Sequence, residues 1–435
     1  MNTIPVTEKA EELAKVGIKK RYLVISILSV LAVITYLDRT SISVAGARIT
    51  EDLHLTETQF GWLQAAFSIA YGIFQIPMGI LGDKKGVRAV LLGIVIWWSL
   101  FTFLTGLSST FAILLVVRFL FAVGEAGAFP NISIALSKWV PVQERARAQG
   151  FIWMFSRIGA ALSPLIIVPV QQAYGWHAVF YLFGIVGIIW GVVWYFWFRE
   201  NPSQMPGISA KEIIEIESNR KIKKVAQPLS FKKLVRDKNL WALVMMYFLY
   251  MFGAYFFLSW LPKYLRQGRG FSEDDMGFFS SMPFVLGAIG CFLGGYLSDI
   301  FVKRMGLKWG RRIIGLTGLL LAGGCMIAAA LSVNNHAAVI FLSLGLAFKD
   351  LTLPVSWTVA TEIGGKHAGA ISGSMHMFGQ IGSTIMTLGF GYIVTQTHNW
   401  NLPIIIIGVL VICSGLLWLL IDAGKPIEDA VPEMA

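Results

Sequence analysis

The sequence predicts an all-α membrane protein with twelve transmembrane helices in two pseudo-symmetric six-helix bundles. Three observations predict this fold class: a shortage of charged residues, a series of long apolar segments, and a repeat at half the chain length. Of the 435 residues, 56% are hydrophobic and only 14% are charged, whereas soluble domains carry about 25% charged residues. This composition indicates a chain that lies largely in lipid.

Twelve apolar segments follow one another along the chain, most of them separated by short polar stretches. Each is long enough to cross a hydrocarbon layer of ~30 Å as a helix, and too long for a strand of a membrane barrel. We place the helices at residues 22–47, 57–81, 88–108, 110–137, 147–171, 176–198, 240–265, 274–302, 311–332, 336–362, 367–395 and 400–422.

A long hydrophilic stretch separates the sixth apolar segment from the seventh. Because the first segment follows a polar stretch and lacks the features of a cleavable signal, we expect it to remain as an anchor. The predicted regions are a cytoplasmic N-terminal tail (1–21), an N-terminal six-helix bundle (22–198), a cytoplasmic linker (199–239), a C-terminal six-helix bundle (240–422) and a cytoplasmic C-terminal tail (423–435).

The two halves share a short sequence pattern at equivalent positions. GILGDKKGVR, residues 79–88, follows the second segment, and GGYLSDIFVKR, residues 294–304, follows the eighth. In each copy a glycine stands four residues before an aspartate, and basic residues follow. The copies are about half the chain length apart, as expected for duplicated transporter halves.

Lysine and arginine are concentrated in alternate loops, on the side that includes both chain ends and the linker. The positive-inside rule therefore places both termini in the cytoplasm and attributes the net charge of +11 to topology, not to nucleic-acid binding. Cys291, Cys325 and Cys413 lie in apolar segments without a CxxC or Cys/His cluster. Neither a metal site nor a disulfide framework is expected.

GILGDKKGVR resembles the signature of the major facilitator superfamily, which lies between helices two and three of those transporters. The chain is also similar to the anion:cation symporter family, which includes transporters of hexuronate, galactonate and glucarate and the sialin-like proteins. The matching stretches are YLDRTSISVA, RFLFAVGEAGAFPN, KWVPVQERARAQG and EIGGKHAGAISGSM. The resemblance covers essentially the whole chain. It implies a monomeric carrier in the bacterial inner membrane, in contact with lipid and without a cofactor.

Charged residues inside the predicted helices of the first half are the main functional candidates: Asp38, Arg39, Arg118, Glu125 and Arg157. Insertion scales give a cost of ~2.5–3.5 kcal/mol for such groups at the centre of a span, so they should face a cavity or each other. Arg118 and Glu125 are seven residues apart, nearly two turns, and share a helix face. The excess of one positive charge suits a carboxylate substrate.

If the first and fourth helices flank a central cavity, Asp38 can meet Arg118, and Arg39 is left for an anion. A substrate carboxylate at either arginine would compete with Asp38, which would then take up a proton more easily. We therefore predict Asp38 and Glu125 as the proton-coupling residues. The alternatives are a permanent ion pair between Asp38 and Arg118, and an Arg39 side chain that extends to the outer interface.

An arginine fork matches a carboxylate with two hydrogen bonds, and the resemblance implies that two tyrosines line the cavity. The predicted substrate-binding residues are Tyr36, Arg39, Tyr71, Arg118 and Gln380. Relatives often carry asparagine in helix eleven, where this chain has HMFGQIG.

Further candidates lie in the middle of other predicted helices: Arg157, Lys349, Asp350 and His376. Because Lys349 and Asp350 are adjacent, we expect their side chains to point in different directions, where they would pair with other helices, gate the cavity or contact the substrate directly. His376 either relays protons or packs as a polar residue between helices.

A cytoplasmic gate is predicted at the helix ends, where charges would be re-paired as the two halves rock. Its residues are Gly79, Asp83, Gly86, Arg88, Glu144, Arg145 and Asp299.

These residues and the resemblance predict a secondary active transporter: proton-coupled uptake of an organic anion by alternating access around a midplane site. Sugar acids such as hexuronates, aldonates or aldarates are implied by the resemblance alone. The alternatives are another small carboxylate, a sodium-coupled or exchange mode, a channel and a membrane enzyme. G-x-x-x-x-G-K-[ST], G-x-S-x-G and H-E-x-x-H are absent from the sequence, which argues against an ATP-driven pump and an enzyme.

Overall fold

The structure, a computed structural model, describes residues 19–141, 144–217, 237–364 and 368–425. Most of each predicted tail lies outside these residues. So do residues 231–236 of the linker sequence FKKLVRDK. The helices are α1 (Lys20–Val44), α2 (Gly46–Asp52), α3 (Glu57–Lys85), α4 (Val87–Thr105), α5 (Phe111–Glu125), α6 (Ala128–Trp139), α7 (Arg145–Tyr174), α8 (Trp176–Trp197), α9 (Ala210–Glu217), α10 (Lys238–Tyr255), α11 (Glu273–Leu331), α12 (Asn335–Gly364), α13 (Ala368–Thr397) and α14 (Asn401–Leu417).

Ten helical stretches of the described chain are long and apolar enough to cross a membrane. One of them, α11, consists of two arms that meet at Gly306, whose φ of 77° is not helical. The helix α14 is shorter but apolar. With α5 and α6 counted as one span, the described residues hold the twelve spans that the sequence predicts, and the all-α membrane fold is confirmed.

Two helices differ from their predicted bounds in ways that matter for the site. The fourth span, predicted as one helix, is interrupted between α5 and α6, so that Glu125 ends a helix. The predicted loop at 303–310 is helical except at Gly306, because its basic residues prolong the first arm of α11 beyond its apolar part. Basic side chains at a helix C-terminus are stabilised by the helix dipole.

The two halves pack against each other mainly through α3 with α13 and α7 with α11. We call the end of the bundle that holds Lys19 and Lys425 the terminal end, and the opposite end the far end. Close approach at the far end requires glycine: a Cβ atom on Gly391 of α13 would lie 2.4 Å from the carbonyl oxygen of Glu57, at the start of α3. Helices that pack this closely in a membrane carry small residues at the contact.

Polar contacts between the halves close the far end. Arg48 donates to Glu273, with Nε 2.6 Å from Oε1, and the buried Lys263 pairs with Glu57. The hydroxyl oxygens of Thr58 and Thr395 are 2.9 Å apart. These three contacts therefore tie the two halves together at the far end.

Candidate functional site

A buried ion pair joins α1 to α5 in the middle of the N-terminal half. Arg39 Nε donates to Glu125 Oε1 at 2.7 Å, and Arg39 Nη2 donates to the same oxygen. Glu125 is fully buried and Arg39 is 8% exposed. The second carboxylate oxygen of Glu125 is buried and has no hydrogen-bond partner within the described chain. One carboxylate oxygen of Glu125 is therefore free to accept a hydrogen bond, and both described hydrogen bonds of Glu125 come from Arg39.

The burial of Glu125 makes its charge dependent on its hydrogen-bond donors. Glu125 is the last residue of α5, and α6 begins at Ala128 after a two-residue turn. Ala126 and Gly127 both keep right-handed helical backbone angles, so the C-terminus of one helix meets the N-terminus of the next and their dipoles oppose each other there. A buried carboxylate without a hydrogen-bond donor is strongly destabilised, so loss of Arg39 would favour the protonated form of Glu125.

Arg118 lies nearly two turns before Glu125 on the same face of α5. No carboxylate forms an ion pair with Arg118 in the described structure. Its Nη2 donates to the backbone oxygen of Arg39 at 3.1 Å, and its Nε is buried without a hydrogen-bond partner. The guanidinium lies 4.8 Å from the ring centre of Phe67 and 4.7 Å from that of Phe121. These cation–π contacts position the group, and no carboxylate is hydrogen-bonded to its fork in the described structure.

Asp38 faces a different helix from the one that the sequence predicts. Its Oδ2 accepts a hydrogen bond from the indole nitrogen of Trp98 in α4, at 3.1 Å, and its Oδ1 is buried without a partner. Within the described residues no ion pair joins Asp38 to Arg118. Consecutive residues point roughly 100° apart on a helix, so Asp38 turns to α4 while Arg39 turns to α5.

The expectation that Arg39 stays free for an anion is therefore wrong in this conformation, because Glu125 occupies it. Arg118 is the arginine without a carboxylate. We name Asp38, Arg39, Arg118 and Glu125 the first charge cluster.

Aromatic rings surround Arg39. The guanidinium lies 4.9 Å from the ring centre of Tyr36, 5.0 Å from that of Phe67 and 4.7 Å from that of Tyr71. The ring of Tyr71 in turn lies 6.4 Å from that of His376 in α13. Both predicted tyrosines are therefore next to the first charge cluster, and Tyr71 also borders the C-terminal half.

The C-terminal half contributes an amide and an imidazole to the same region. Gln380 Oε1 accepts from the Tyr255 hydroxyl at 2.9 Å, and the Gln380 side chain packs beside Gly72 of α3. His376 Nδ1 lies 3.0 Å from Gln75 Oε1 of the N-terminal half. Both predicted α13 residues thus contact or border the opposite half.

A second group of charges crosses the boundary between the halves. Asp350 lies 3.1 Å, Oδ2 to Nε, from Arg157 of α7 and 2.8 Å, Oδ1 to Nζ, from Lys349. Lys349 also donates to the Tyr250 hydroxyl at 2.7 Å, and that hydroxyl donates to Asp350 Oδ1 at 3.3 Å. We name these four residues the second charge cluster. The expectation that Lys349 and Asp350 diverge is wrong, because the long lysine side chain folds back to its neighbour.

Several aromatic residues at the site were not singled out by the sequence: Phe67, Trp98, Tyr247, Tyr250 and Tyr255. Four of the five carry a polar group, and that group needs a partner when it is buried. A usable signal was the spacing of Tyr247 and Tyr250 on α10, since residues three apart share a face. The partners of these groups come from other helices, which periodicity does not identify.

The predicted gate residues are spread among contacts within each half. Glu144 pairs with Arg21 at 3.0 Å, and Asp299 pairs with Arg311 at 3.0 Å. Arg88 donates to the carbonyl oxygen of Tyr195. The side chains of Asp83 and Arg145 lie outside the described part of the chain.

The two predicted gate glycines have separate structural roles. Gly86 has a φ of 85° between α3 and α4, a conformation that favours glycine. Gly79 packs beside Pro130 of α6, where a Cβ atom would lie 3.3 Å from the proline Cβ.

Comparison with known proteins identifies a family. The family model described as Major Facilitator Superfamily matches residues 28–387. A probable sulfoacetate transporter of Cupriavidus necator is 34% identical over 94% of this chain and 95% of its own length. A hexuronate transporter of Bacillus subtilis is 31% identical over 92% and 94%, respectively. A probable galactarate/D-glucarate transporter of Escherichia coli is 30% identical over 93% and 94%.

Solved structures support the same fold. A bacterial homologue of the human lysosomal transporter Spinster, in an inward-facing and occupied conformation, has a TM-score of 0.77 to this structure. The alignment covers 93% of this chain and 97% of the homologue, at 21% sequence identity. At this identity the likeness concerns the fold.

Proposed function

Because the chain belongs to the major facilitator superfamily, we propose that it is a proton-coupled symporter that takes up an organic anion, and that the anion is a sugar acid or a similar small carboxylate. The chain is a transporter and not an enzyme, as its relatives and its fold are those of transporters. The relatives described above carry names of organic-anion transporters. Hexuronates, aldonates and aldarates are the first substrates to test.

The observation that carries the proposal is the dependence of Glu125 on Arg39. Arg118 lies next to this pair: its Nη2 donates to the backbone oxygen of Arg39, and its Nε is buried without a described hydrogen-bond partner. A substrate carboxylate that binds Arg118 would extend to Arg39 and compete with Glu125 for it. Arginine binds carboxylates through paired hydrogen bonds, so this competition has a suitable geometry.

Proton uptake would follow from that competition. A Glu125 carboxylate that loses Arg39 is fully buried without a hydrogen-bond donor, and a buried charge in that state is strongly destabilised. It would therefore bind a proton as the substrate binds. Asp38, which has one described donor, Trp98, is the second proton-coupling residue in this proposal.

The closed far end determines where substrate would enter and leave the carrier. The far end is closed by polar contacts between the halves, so substrate would leave or enter at the terminal end in this conformation. We infer from the basic loops at that end that it faces the cytoplasm of a bacterial inner membrane. Tyr36, Tyr71 and Gln380 would bind the substrate hydroxyls, and His376 would join the halves through Gln75. We expect a monomer to perform the cycle.

Uptake into proteoliposomes tests this function. The purified protein should concentrate at least one labelled sugar acid when the outside is acidic, and an uncoupler should abolish the accumulation. A sodium gradient without a pH gradient should not drive it. Accumulation that requires sodium, or passive flux that only follows the membrane potential, would replace the proton-coupled symporter with a sodium-coupled carrier or a channel.

A further inference from the structure

The second charge cluster contains more positive than negative charge, and it is buried. Arg157 is 7% exposed, and Lys349 and Asp350 are fully buried. A single carboxylate, that of Asp350, contacts both cations. In the first charge cluster, by contrast, two acids and two bases balance. The formal surplus of positive charge in the middle of the molecule therefore belongs to the second charge cluster.

A structural latch between the halves would need only one cation for its carboxylate. Arg157 alone reaches both oxygens of Asp350, at 3.1 and 3.4 Å. The additional ammonium of Lys349 brings a desolvation cost that its contacts with Asp350 and Tyr250 offset only in part. An arriving anion would remove this imbalance.

Aromatic rings connect the two clusters. The ring centre of Tyr71 lies 4.7 Å from the guanidinium carbon of Arg39 and 6.4 Å from the ring centre of His376. The ring of His376 lies 6.3 Å from that of Tyr247, which stacks at 5.2 Å on Tyr250 of the second charge cluster. A short carbon chain bound along these rings would have one end toward each charge cluster.

We infer that the second charge cluster is a subsite for a second anionic group, and that this carrier prefers dianions: short chains with a carboxylate or sulfonate at each end. The inference rests on the proposed function and names its substrate class. Arg157 belongs to the N-terminal half, while Lys349 and Asp350 belong to the C-terminal half. The second anionic group would therefore bind both halves at once, which ties occupancy of this subsite to their relative movement.

A matched pair of acids tests the inference. A six-carbon aldarate and the corresponding aldonate differ only in that one carboxylate is replaced by a hydroxymethyl group. In competition against labelled substrate, the wild-type carrier should bind the aldarate at least about 10-fold more tightly, as expected for one additional charge-assisted contact. A wild-type carrier that prefers the aldonate would overturn the inference while leaving the proposed function intact.

Variants of the second cluster locate the preference. Arg157→Gln and Lys349→Gln should each weaken aldarate binding about 10-fold or more and change aldonate binding by less than about 3-fold. Arg118→Gln should weaken both acids, and Lys303→Gln, at an exposed lysine, should weaken neither. Equal losses for both acids in Arg157→Gln and Lys349→Gln would make the cluster a structural latch.

Two further measurements cover the case in which these variants fold poorly. Arg157→Lys keeps the charge and should retain a preference for the aldarate. The thermal stability of the purified wild-type protein should rise more with the aldarate than with the aldonate at equal concentration. If neither acid binds, the proposed sugar-acid transport fails and the dianion preference fails with it.

Discussion

Arg39 and Glu125, 86 positions apart in the sequence, are joined by a buried hydrogen bond of 2.7 Å from Nε to Oε1. Two features make this pair able to change partners. Arg118 lies beside it without a carboxylate hydrogen-bonded to it in the described structure, and Glu125 is fully buried with both of its described hydrogen bonds donated by Arg39. An incoming carboxylate can therefore take the place of Glu125 at Arg39.

Glu125→Gln should separate proton coupling from substrate movement. The amide cannot bind a proton in place of the carboxylate, so pH-driven accumulation should be lost, whereas counterflow exchange of substrate should continue. Proteoliposome uptake under a pH gradient and counterflow without one measure the two activities. Glu51→Gln, at an exposed glutamate, serves as the control, and normal accumulation by Glu125→Gln would exclude this residue as the proton carrier.

Arg118→Lys should weaken substrate binding even though the positive charge is kept. Lysine lacks the planar fork that pairs with both oxygens of a carboxylate, and loss of one charge-assisted hydrogen bond costs about 1.5–3 kcal/mol. We expect the concentration for half-maximal transport to rise about 10-fold or more. Arg304→Lys, at an exposed arginine, should leave transport unchanged. An unaltered affinity in Arg118→Lys would show that the fork does not hold the substrate.

A disulfide across the far end should lock the carrier. The hydroxyl oxygens of Thr58 and Thr395 are 2.9 Å apart, so cysteines at both positions can approach the ~2.05 Å of a sulphur–sulphur bond with a small adjustment. In a background without the three native cysteines, oxidation should abolish both uptake and counterflow, and reduction should restore them. The single variants Thr58→Cys and Thr395→Cys are the controls. Transport by the cross-linked protein would contradict closure and opening at this end.

Gly391→Val should impair transport, whereas Gly389→Val on the same helix should not. A Cβ atom on Gly391 would lie 2.4 Å from the carbonyl oxygen of Glu57, while one on Gly389 would meet nothing within 4 Å. Overpacking of this kind costs about 1–3 kcal/mol, which here would oppose the conformation with the far end closed.

The carbonyl oxygen of Ser259 accepts hydrogen bonds from Ser43 and Gln64 across the boundary between the halves. Uptake rates, and labelling of Ser259→Cys by a membrane-impermeant reagent in a background without the native cysteines, measure the effect of the glycine substitutions. Equal rates for the two variants would mean that the far end does not close in this way.

The sequence by itself determined the fold class. Apolar segments of about twenty residues must form helices in lipid, because the backbone has no other way to satisfy its hydrogen bonds there. The twelve spans and the all-α architecture agree with expectations from the sequence. These features depend on composition along the chain and on the resemblance to a family with the same arrangement.

The tertiary structure alone decided which charges meet. Sequence reasoning paired Asp38 with Arg118 and left Arg39 free, but the rotation of α1 turns Arg39 to Glu125 and Asp38 to Trp98. Likewise, Arg157 and Asp350 are 193 positions apart, in different halves, and meet only when α7 and α12 pack in register. Hydropathy shows that a charge is buried, while the azimuth and the height of each helix against its neighbours determine its partner. The azimuth and the height of a helix are set by side-chain packing over the whole bundle. A periodic pattern within one helix does not determine them.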